Sequence, residues 1–406
     1  MTINQKVISL IILVYFICNT KAFSQKSPMM GWMSWNLYGT DINEAKILGA
    51  ADALVASGLA KNGFNYICID DGWQGGRDNK NNMIPDPKKF PNGIKFLSDY
   101  IHAKGLKIGI YSDAAELTCG KYTASLGFEN QDAKTFAAWN IDFLKYDYCN
   151  APTDKFTAMH RYTTMATALS NCGREIKFGI CEWGQREPWT WAASVGGTHW
   201  RTTWDVRDLW QSAEYNDSNN GIYNIYKTSM PYTKFVEPGK YNDLDMLVVG
   251  LYGKGDASSI SAASKKGCTN VEYQSQMSLW SLLCSPLMIS CDVAALDNAS
   301  AKILKNADII KINQDEAFKP AELKLSDNSI DVLLKLLADG SYAIGIVNKT
   351  DGVIFFKFNF SQLGLTGKYS IKNVWTGKTN LSAKENWAGY IESHETIVLI
   401  IKKGSM

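Results

Sequence analysis

Eight short apolar runs, separated by amphipathic helical stretches, dominate the chain before residue 295. The runs are Gly31–Asn36, Tyr66–Trp73, Lys107–Asp113, Asp142–Cys149, Lys177–Trp183, His199–Asp205, Tyr241–Val248 and Leu287–Asp292. Strands that alternate with helices predict a parallel α/β fold. Eight is also the number of strands that closes a (β/α)8 barrel. The periodicity alone would equally fit an open, doubly wound sheet.

The stretches between these runs have helical periodicity and helix stop signals. The predicted helices are Asn43–Ser57, Ile94–Ala103, Gln131–Trp139, Lys155–Leu169, Glu272–Leu283 and Ala301–Ala307. Gly58 and Gly105 stand where the first two should end, as glycine commonly does after a helix.

The position of the polar residues favours the closed barrel. Seven of the eight runs end in an acidic residue, a tryptophan or both, among them Asp70 with Asp71, Asp113, Asp147, Glu182 with Trp183, and Asp205. One acid at a strand end is usually a helix N-cap. A ring of acids and indoles is more than capping needs, and it lies at the carboxyl ends of the strands, where barrel enzymes hold their catalytic groups.

Two of these acids, Asp147 and Asp205, suit the cleavage of a glycosidic bond. Lys145 lies on the same face of its strand as Asp147 and is expected to hold the pKa of that carboxyl down; a surface ion pair on an edge strand is the alternative. Trp200 and Trp204 flank Asp205 and are expected to raise its pKa. Arg201 could approach Asp205 or bind substrate. A separation of ~5–5.5 Å between the two acids would predict retention of configuration.

Other chemistries find less support. Asp70 and Asp71 can accept hydrogen bonds from neighbouring sugar hydroxyls, and a metal site is their rival use. The chain has no D-x-D-x-D-G loop, only four His, and neither an H-E-x-x-H nor a C-x-x-C motif. It also lacks the G-x-S-x-G and glycine-rich nucleotide motifs. The 13 Trp and 19 Tyr fit sugar stacking, although many will be core.

The charge and the N-terminus restrict partners and compartment. A formal charge of +2 over 406 residues indicates neither nucleic acid nor an anionic membrane as a partner. Lys6 before the apolar run Val7–Cys18, with Ala22 and Ser24 ahead of the predicted cut, indicates a signal peptide over residues 1–24. That run is too short for a membrane span. The mature protein is predicted to be periplasmic or secreted, where disulfides can form.

The pattern of predicted secondary structure changes after Ala317. Short β-rich runs follow one another at Asn328–Leu337, Ser341–Asn348, Val353–Asn359, Tyr369–Trp375, Gly389–Ile391 and Thr396–Lys402. They predict an antiparallel β-sandwich. The predicted domains are therefore a signal peptide (1–24), a catalytic barrel (25–316) and the sandwich (317–406). Ser258–Lys266 is predicted to be a loop insertion.

Seven ordered blocks of sequence resemble glycoside hydrolase family 27, the α-galactosidase family. They are Met30–Asn36, Cys68–Trp73, Gly109–Ala114, Leu144–Asn150, Cys181–Gly184, Trp200–Asp205 and Asn242–Leu247. The resemblance extends from about Pro28 to Gln314. Such a match implies a (β/α)8 barrel followed by an antiparallel β domain, and hydrolysis by double displacement with retention.

The resemblance also implies roles for individual residues. Asp147 would be the nucleophile and Asp205 the acid/base, while Cys119 and Cys149 would form a disulfide in the pocket wall. The sugar pocket would be lined by Trp35, Asp70, Asp71, Tyr111, Lys145, Cys181, Glu182, Trp183, Arg201, Asp245 and Met246. The expected substrate is terminal α-linked galactose on an oligosaccharide or a polysaccharide side chain. No metal or organic cofactor is implied.

Several departures from the family pattern bear on specificity. Gly72 replaces a cysteine found in many members, so a second common disulfide should be missing. Glu182 disfavours a 2-acetamido sugar, and the pair Asp70–Asp71 fits a hexose better than arabinopyranose. The alternatives are a β-L-arabinopyranosidase, an α-N-acetylgalactosaminidase and a non-catalytic galactose-binding protein. The sequence of residues 185–187 does not predict which leaving groups the neighbouring subsite accepts. The sandwich is expected to stabilise the fold without binding sugar.

Overall fold

The structure, a computed structural model, describes residues 26–213, 219–255 and 266–403, without the side chains of residues 382 and 383. The predicted signal peptide lies outside the described residues. So does the predicted insertion Ser258–Lys266, apart from its last residue.

In the part of the chain that the structure describes, ten strands precede the C-terminal domain, and eight of them form one parallel sheet. They are β1 (Met30–Met33), β2 (Tyr66–Cys68), β3 (Gln74–Arg77), β4 (Met83–Pro85), β5 (Lys107–Asp113), β6 (Phe143–Asp147), β7 (Lys177–Ile180), β8 (His199–Arg201), β9 (Tyr241–Asp243) and β10 (Leu287–Ile289). The sheet runs in the order β10-β1-β2-β5-β6-β7-β8-β9. A parallel bridge from Leu247 to Ile289 joins its two ends. The predicted closed barrel is therefore confirmed.

Most barrel strands are shorter than the runs that predicted them. Run Tyr66–Trp73, for example, supplies only β2, because the chain leaves the sheet where its acids begin. Asp70 and Asp71 then lie in a turn, in which the Asp71 N–H donates to Asp70 Oδ1 at 2.8 Å. The sequence analysis also missed the antiparallel hairpin β3–β4, which lies outside the barrel.

Nine helices are present in the described ranges. They are α1 (Trp35–Tyr38), α2 (Glu44–Ala56), α3 (Gly93–Ala103), α4 (Glu129–Ala138), α5 (Lys155–Ser170), α6 (Ile222–Ser229), α7 (Asn270–Leu282), α8 (Asn298–Leu304) and α9 (Ala307–Asn313). Side-chain caps fix several starts: Asn43 accepts from the Lys46 N–H at 2.9 Å, and Thr269 forms a capping box with Glu272. The sequence analysis missed α6, and its last helix is divided into α8 and α9.

The C-terminal domain packs two antiparallel sheets together. Its strands are β11 (Glu322–Ser326), β12 (Ile330–Leu336), β13 (Tyr342–Asn348), β14 (Ile354–Asn359), β15 (Tyr369–Asn373), β16 (Thr379–Lys384), β17 (Asn386–Ile391) and β18 (Thr396–Lys403). Six form a sheet in the order β11-β12-β13-β18-β15-β16, and β14 pairs with β17 in a ribbon above it. The predicted sandwich is confirmed, although β11 and β16 were missed. The predicted boundary between residues 316 and 317 stays a prediction.

A buried lysine joins the two domains. Lys335 on β12 is fully buried. Its amino group donates to the carbonyls of Ser281 at 3.3 Å and Ile312 at 2.6 Å, and it contacts Cys284 Sγ at 3.1 Å. Those carbonyls belong to the last turns of α7 and α9, where helical carbonyls have no donor four residues further on. The Ser281 carbonyl also accepts from the Cys284 N–H at 3.3 Å. The C-terminal domain thus caps two helices of the barrel.

Candidate active site

Strand β6 places one predicted catalytic acid at the mouth of the barrel. Phe143 packs in the barrel interior, and Lys145 and Asp147 follow on the same face because strand side chains alternate. Leu144 and Tyr146 point the other way, into the core between sheet and helices. The prediction that Lys145 and Asp147 share a face is confirmed, and the edge-strand alternative is wrong because β6 pairs on both sides.

Asp147 is almost fully buried and held by two donors. Its Oδ2 accepts from the Tyr111 hydroxyl at 3.0 Å, and its Oδ1 accepts from the Tyr148 N–H at 3.0 Å. Burial raises the pKa of Asp147 to about 7, although Lys145 acts to lower it. The expectation that Lys145 would hold this pKa below its usual range is therefore wrong, because desolvation outweighs the lysine.

Lys145 is committed to another carboxylate. Its Nζ lies 2.8 Å from Asp70 Oδ2, across the barrel mouth on the turn after β2. Asp70, with Asp147 and Asp205, keeps the pKa of Lys145 well above its usual value in spite of burial. The lysine is thus a fixed positive charge that links the predicted sugar-binding acid to the predicted catalytic pair.

Asp205 is paired with Arg201. The guanidinium Nη1 lies 2.9 Å from Asp205 Oδ1 and 3.1 Å from Asp245 Oδ1. Burial raises the pKa of Asp205, but Arg201 and Lys145 outweigh it, and the net pKa lies below the usual range. The expected rise caused by flanking tryptophans is therefore wrong. Trp200 points away and donates to Asn242 Oδ1 at 2.8 Å.

Asp147 and Asp205 lie in one electrostatic cluster. The charge of Asp205 raises the pKa of Asp147, and the charges of both carboxylates raise the pKa of Lys145. Only β7 separates β6 from β8 in the sheet, so the ends of these strands place the predicted pair on one side of the barrel. The expected separation of the two acids stays a prediction.

A disulfide supports the wall beside Asp71. Cys119 and Cys149 are bonded, as the resemblance implied, and they join the loops after β5 and β6. Next to Cys119, the Gly120 N–H donates to Asp71 Oδ2 at 2.6 Å. Burial raises the pKa of Asp71. The loop thus fixes the direction of a carboxylate that was predicted to bind sugar hydroxyls.

The remaining predicted residues surround this cluster with apolar surface. Cys181 and Met246 are buried beside Arg201 and Asp245, and Trp35 packs against the Met246 cluster. Trp183 stacks on Trp204 with 5.4 Å between ring centroids and 24° between planes. Trp204 directly precedes Asp205 in sequence.

Glu182 lies on the opposite side of the chain from Cys181. It is fully buried, and its Oε2 accepts from the Arg186 N–H at 2.9 Å and from Arg186 Nη1 at 3.0 Å. Arg186 in turn covers the Tyr148 ring at 4.6 Å. Burial raises the pKa of Glu182 to about 7. The Glu182–Arg186 pair thus ties the chain after β7 to the ring of Tyr148, next to Asp147.

Sequence reasoning left Asp113 out of the predicted pocket. It is fully buried, pairs in register with Asp147 and accepts from the Cys149 N–H at 2.9 Å. Burial and Asp147 raise the pKa of Asp113 well above its usual value. Its place at the end of β5 was visible in the sequence, but its approach to Asp147 depends on strand register. Among the described residues, the carboxylates of Asp113 and Asp147 and the two disulfide sulfurs lie close enough together to surround a metal ion. Bonded sulfurs are not thiolate ligands.

Fold and site together define a class. The strand ends of this (β/α)8 barrel bring together several buried carboxylates, a paired lysine and arginine, and two stacked indoles. This is the composition of a glycoside hydrolase site.

Comparison with known proteins identifies the family. The alpha galactosidase A family model matches residues 27–315, and the alpha galactosidase C-terminal beta sandwich domain matches residues 327–401. The α-galactosidase of Cyamopsis tetragonoloba is 38% identical over 373 residues, which cover 91% of this chain and 84% of that protein. The chain therefore belongs to the α-galactosidase family.

Solved structures agree with this assignment. α-Galactosidase I from Mortierella vinacea superposes with a TM-score of 0.86 at 31% identity, covering 94% of this chain and 98% of its own. An α-galactosidase from Saccharomyces cerevisiae, solved with raffinose, gives 0.83 at 25% identity and covers 93% and 98%.

Proposed function

We propose that this chain is a retaining α-galactosidase that removes terminal α-linked galactose, with Asp147 as nucleophile and Asp205 as acid/base. The observation that carries the proposal is the placement of these two acids at the ends of β6 and β8, beside the charges of Lys145 and Arg201, in a chain from this family. Asp70, Tyr111 and Asp147 are each at most 4% exposed. Such enclosure suits one terminal sugar ring and therefore an exo-acting enzyme.

The reaction needs two steps. Asp147 attacks the anomeric carbon while Asp205 gives a proton to the glycosidic oxygen, so that the aglycone leaves and a galactosyl ester remains on Asp147. Asp205 then takes a proton from water, which attacks the same carbon and releases galactose. Lys145 and Arg201 supply positive charge beside the two carboxylates, and Asp70 and Asp71 accept hydrogen bonds from the sugar hydroxyls.

The ionisation states that these contacts favour differ from those that this chemistry needs. Arg201 favours the ionised form of Asp205, while burial favours the neutral form of Asp147. Strongly interacting acids titrate as a pair. Asp147 therefore has to lose its proton, and Asp205 has to gain one, before the first step.

Galactose is favoured over the alternative sugars. α-Galactosidases are the relatives with high identity over most of the chain, and the yeast structure was solved with raffinose, a galactose-containing oligosaccharide. Oligosaccharides and the side chains of galactose-bearing polysaccharides are the proposed substrates. Both catalytic acids are present, which argues against a protein that only binds galactose.

A panel of aryl glycosides tests the proposal. Turnover of the α-galactoside should exceed that of the β-L-arabinopyranoside and the α-N-acetylgalactosaminide. Asp147→Asn should abolish turnover but retain galactose binding, measured by calorimetry. Asp52→Asn, a control at an exposed acid of α2, should retain both. Faster turnover of another sugar, or an active Asp147→Asn enzyme, would contradict the proposal.

Two further predictions join the proposal. The signal peptide at residues 1–24 would export the protein to the periplasm or the medium. No helix of the described residues is long and apolar enough to cross a membrane. The same analysis of the sequence predicts the domain limits 25–316 and 317–406.

A further inference from the structure

Strands β14 and β17 form the layer of the C-terminal domain that is farthest from the barrel. On one face of the six-stranded sheet, Leu333 and Val398 join the core shared with the barrel. On its other face, Val332 and Ile344 pack under the β14–β17 ribbon. The ribbon therefore rests one face on this second core, and its other face points away from the catalytic domain.

The outward face of the ribbon carries two large aromatic side chains. Phe355 is 60% exposed and Tyr390 is 74% exposed. They stand opposite each other in register, with ring centroids 5.1 Å apart and 61° between the planes. Two large aromatics in solvent are costly, since a side chain of this size normally gains free energy by burial.

Polar groups continue the same face. Lys357 stands opposite Ala388 two residues along the ribbon, and Asn386 follows beyond Ala388. All three are exposed, and within the described ranges the side chains of Lys357 and Asn386 have no hydrogen-bond partner. Ala388, with its small side chain, lies between Tyr390 and Asn386 on this face of β17.

We propose that this strip, consisting of Phe355, Lys357, Asn386, Ala388 and Tyr390, binds a pyranose segment of a neutral polysaccharide. The apolar face of a sugar ring can stack on one of the two aromatic rings, while the second aromatic ring packs against the edge of the sugar. The ammonium and amide groups can then bond hydroxyls further along the chain. The inference rests on the proposed function, because it takes the polymer that bears the galactose as the ligand.

The dimensions of the strip favour a polysaccharide over a protein. It is about 13 Å long, from two steps of two residues, and only two strands wide. A stable protein interface needs about 800 Å² from each partner, which this strip does not approach. Its single cationic side chain gives no basis for binding an anionic polymer. A cross-strand aromatic pair also stabilises a ribbon, so the test must measure binding.

Affinity electrophoresis through galactomannan gels provides that test. The full chain would carry Asp147→Asn, so that the polymer stays intact, and excess free galactose would occupy the catalytic pocket. We expect retardation to persist under these conditions. Adding Phe355→Ala and Tyr390→Ala should raise the apparent dissociation constant about tenfold. The control Leu381→Ala removes an 80% exposed apolar side chain of β16 and should leave retardation unchanged.

Three results would overturn the inference: no retardation in the presence of galactose, equal retardation of the double variant, or dimerisation through this face in sedimentation experiments. A second variant, Lys357→Ala with Asn386→Ala, keeps the aromatic pair and should weaken binding about threefold. It preserves the test if the first variant does not fold. Turnover of an aryl α-galactoside by the chain with Asp147 intact reports the proposed function separately.

Discussion

The hydroxyl of Tyr111 should set the pH at which Asp147 becomes active. It donates to Asp147 Oδ2 at 3.0 Å, and both residues are buried. Tyr111→Phe removes this donor without changing the charge of the pocket. Because the donor stabilises the carboxylate, its loss should raise the pKa of Asp147 from about 7.

The size of this effect follows from the bond that is lost. A hydrogen bond to a buried charged group contributes about 1.5–3 kcal/mol, and about 1.4 kcal/mol corresponds to one pKa unit. The acidic limb of the kcat/KM profile should therefore move up by about 1–2 units. At pH 6 the variant should lose about 10- to 100-fold in kcat/KM, and the loss should shrink as the pH rises past the new pKa.

The assay is a pH profile of kcat/KM on an aryl α-galactoside, which reports ionisation of the free enzyme. Tyr146→Phe is a matched control, because Tyr146 precedes Asp147 on the same strand and its buried hydroxyl has no partner among the described residues. Its acidic limb should not move. A uniform loss for Tyr111→Phe at every pH, with the limb unmoved, would refute the reasoning.

Three other substitutions test the acid role of Asp205, the pH dependence of stability and the contacts of Lys335. Asp205→Ala should lower kcat/KM by about 10²–10⁴ on galactosides with poor leaving groups and far less on activated aryl galactosides; equal losses would contradict the acid role. Burial raises the folded-state pKa of Asp147 to about 7, so its ionisation costs stability, from none below about pH 4 to the full amount above about pH 7. Asp147→Asn should accordingly melt above wild type at pH 8 but not at pH 4, and a constant difference would be evidence against this linkage. Lys335→Met should destabilise the protein by about 1–3 kcal/mol, since it leaves the buried carbonyl of Ile312 unpaired; an unchanged melting temperature would show that the Lys335 contacts add no stability.

The sequence predicted the barrel because its determining signals are local. Apolar runs, helical periodicity and glycine stops are read within a few residues, and closure follows from the ring of polar strand ends. The lengths of strands could not be read in this way. A run such as Tyr66–Trp73 stays apolar enough for a strand, while hydrogen bonding by Asp70 and Asp71 ends the strand early. Hairpin β3–β4 lacks an alternating pattern because Gly75 and Gly76 occupy it.

The charge states of the site depend on contacts between distant parts of the chain. Lys145 is two residues from Asp147, yet it pairs with Asp70, which only the closed barrel brings near. Arg201 is four residues from Asp205 and does reach it, an option that the sequence left open. Burial, which the sequence does not quantify, decides the direction for Asp147. The sequence thus predicted which side chains meet at the barrel mouth, but it did not predict their electrostatic balance.

The bond between Cys119 and Cys149 connects the pocket to the redox conditions of synthesis. It tethers the two loops that orient Asp71 and follow Asp147, while Cys68, Cys172, Cys181, Cys268, Cys284 and Cys291 remain as thiols. Protein made in a reducing cytosol should therefore contain the same barrel, but the loops after β5 and β6 should no longer be covalently joined beside Asp71 and Asp147. For this enzyme, passage through an oxidising compartment would be the last step in assembling the catalytic centre.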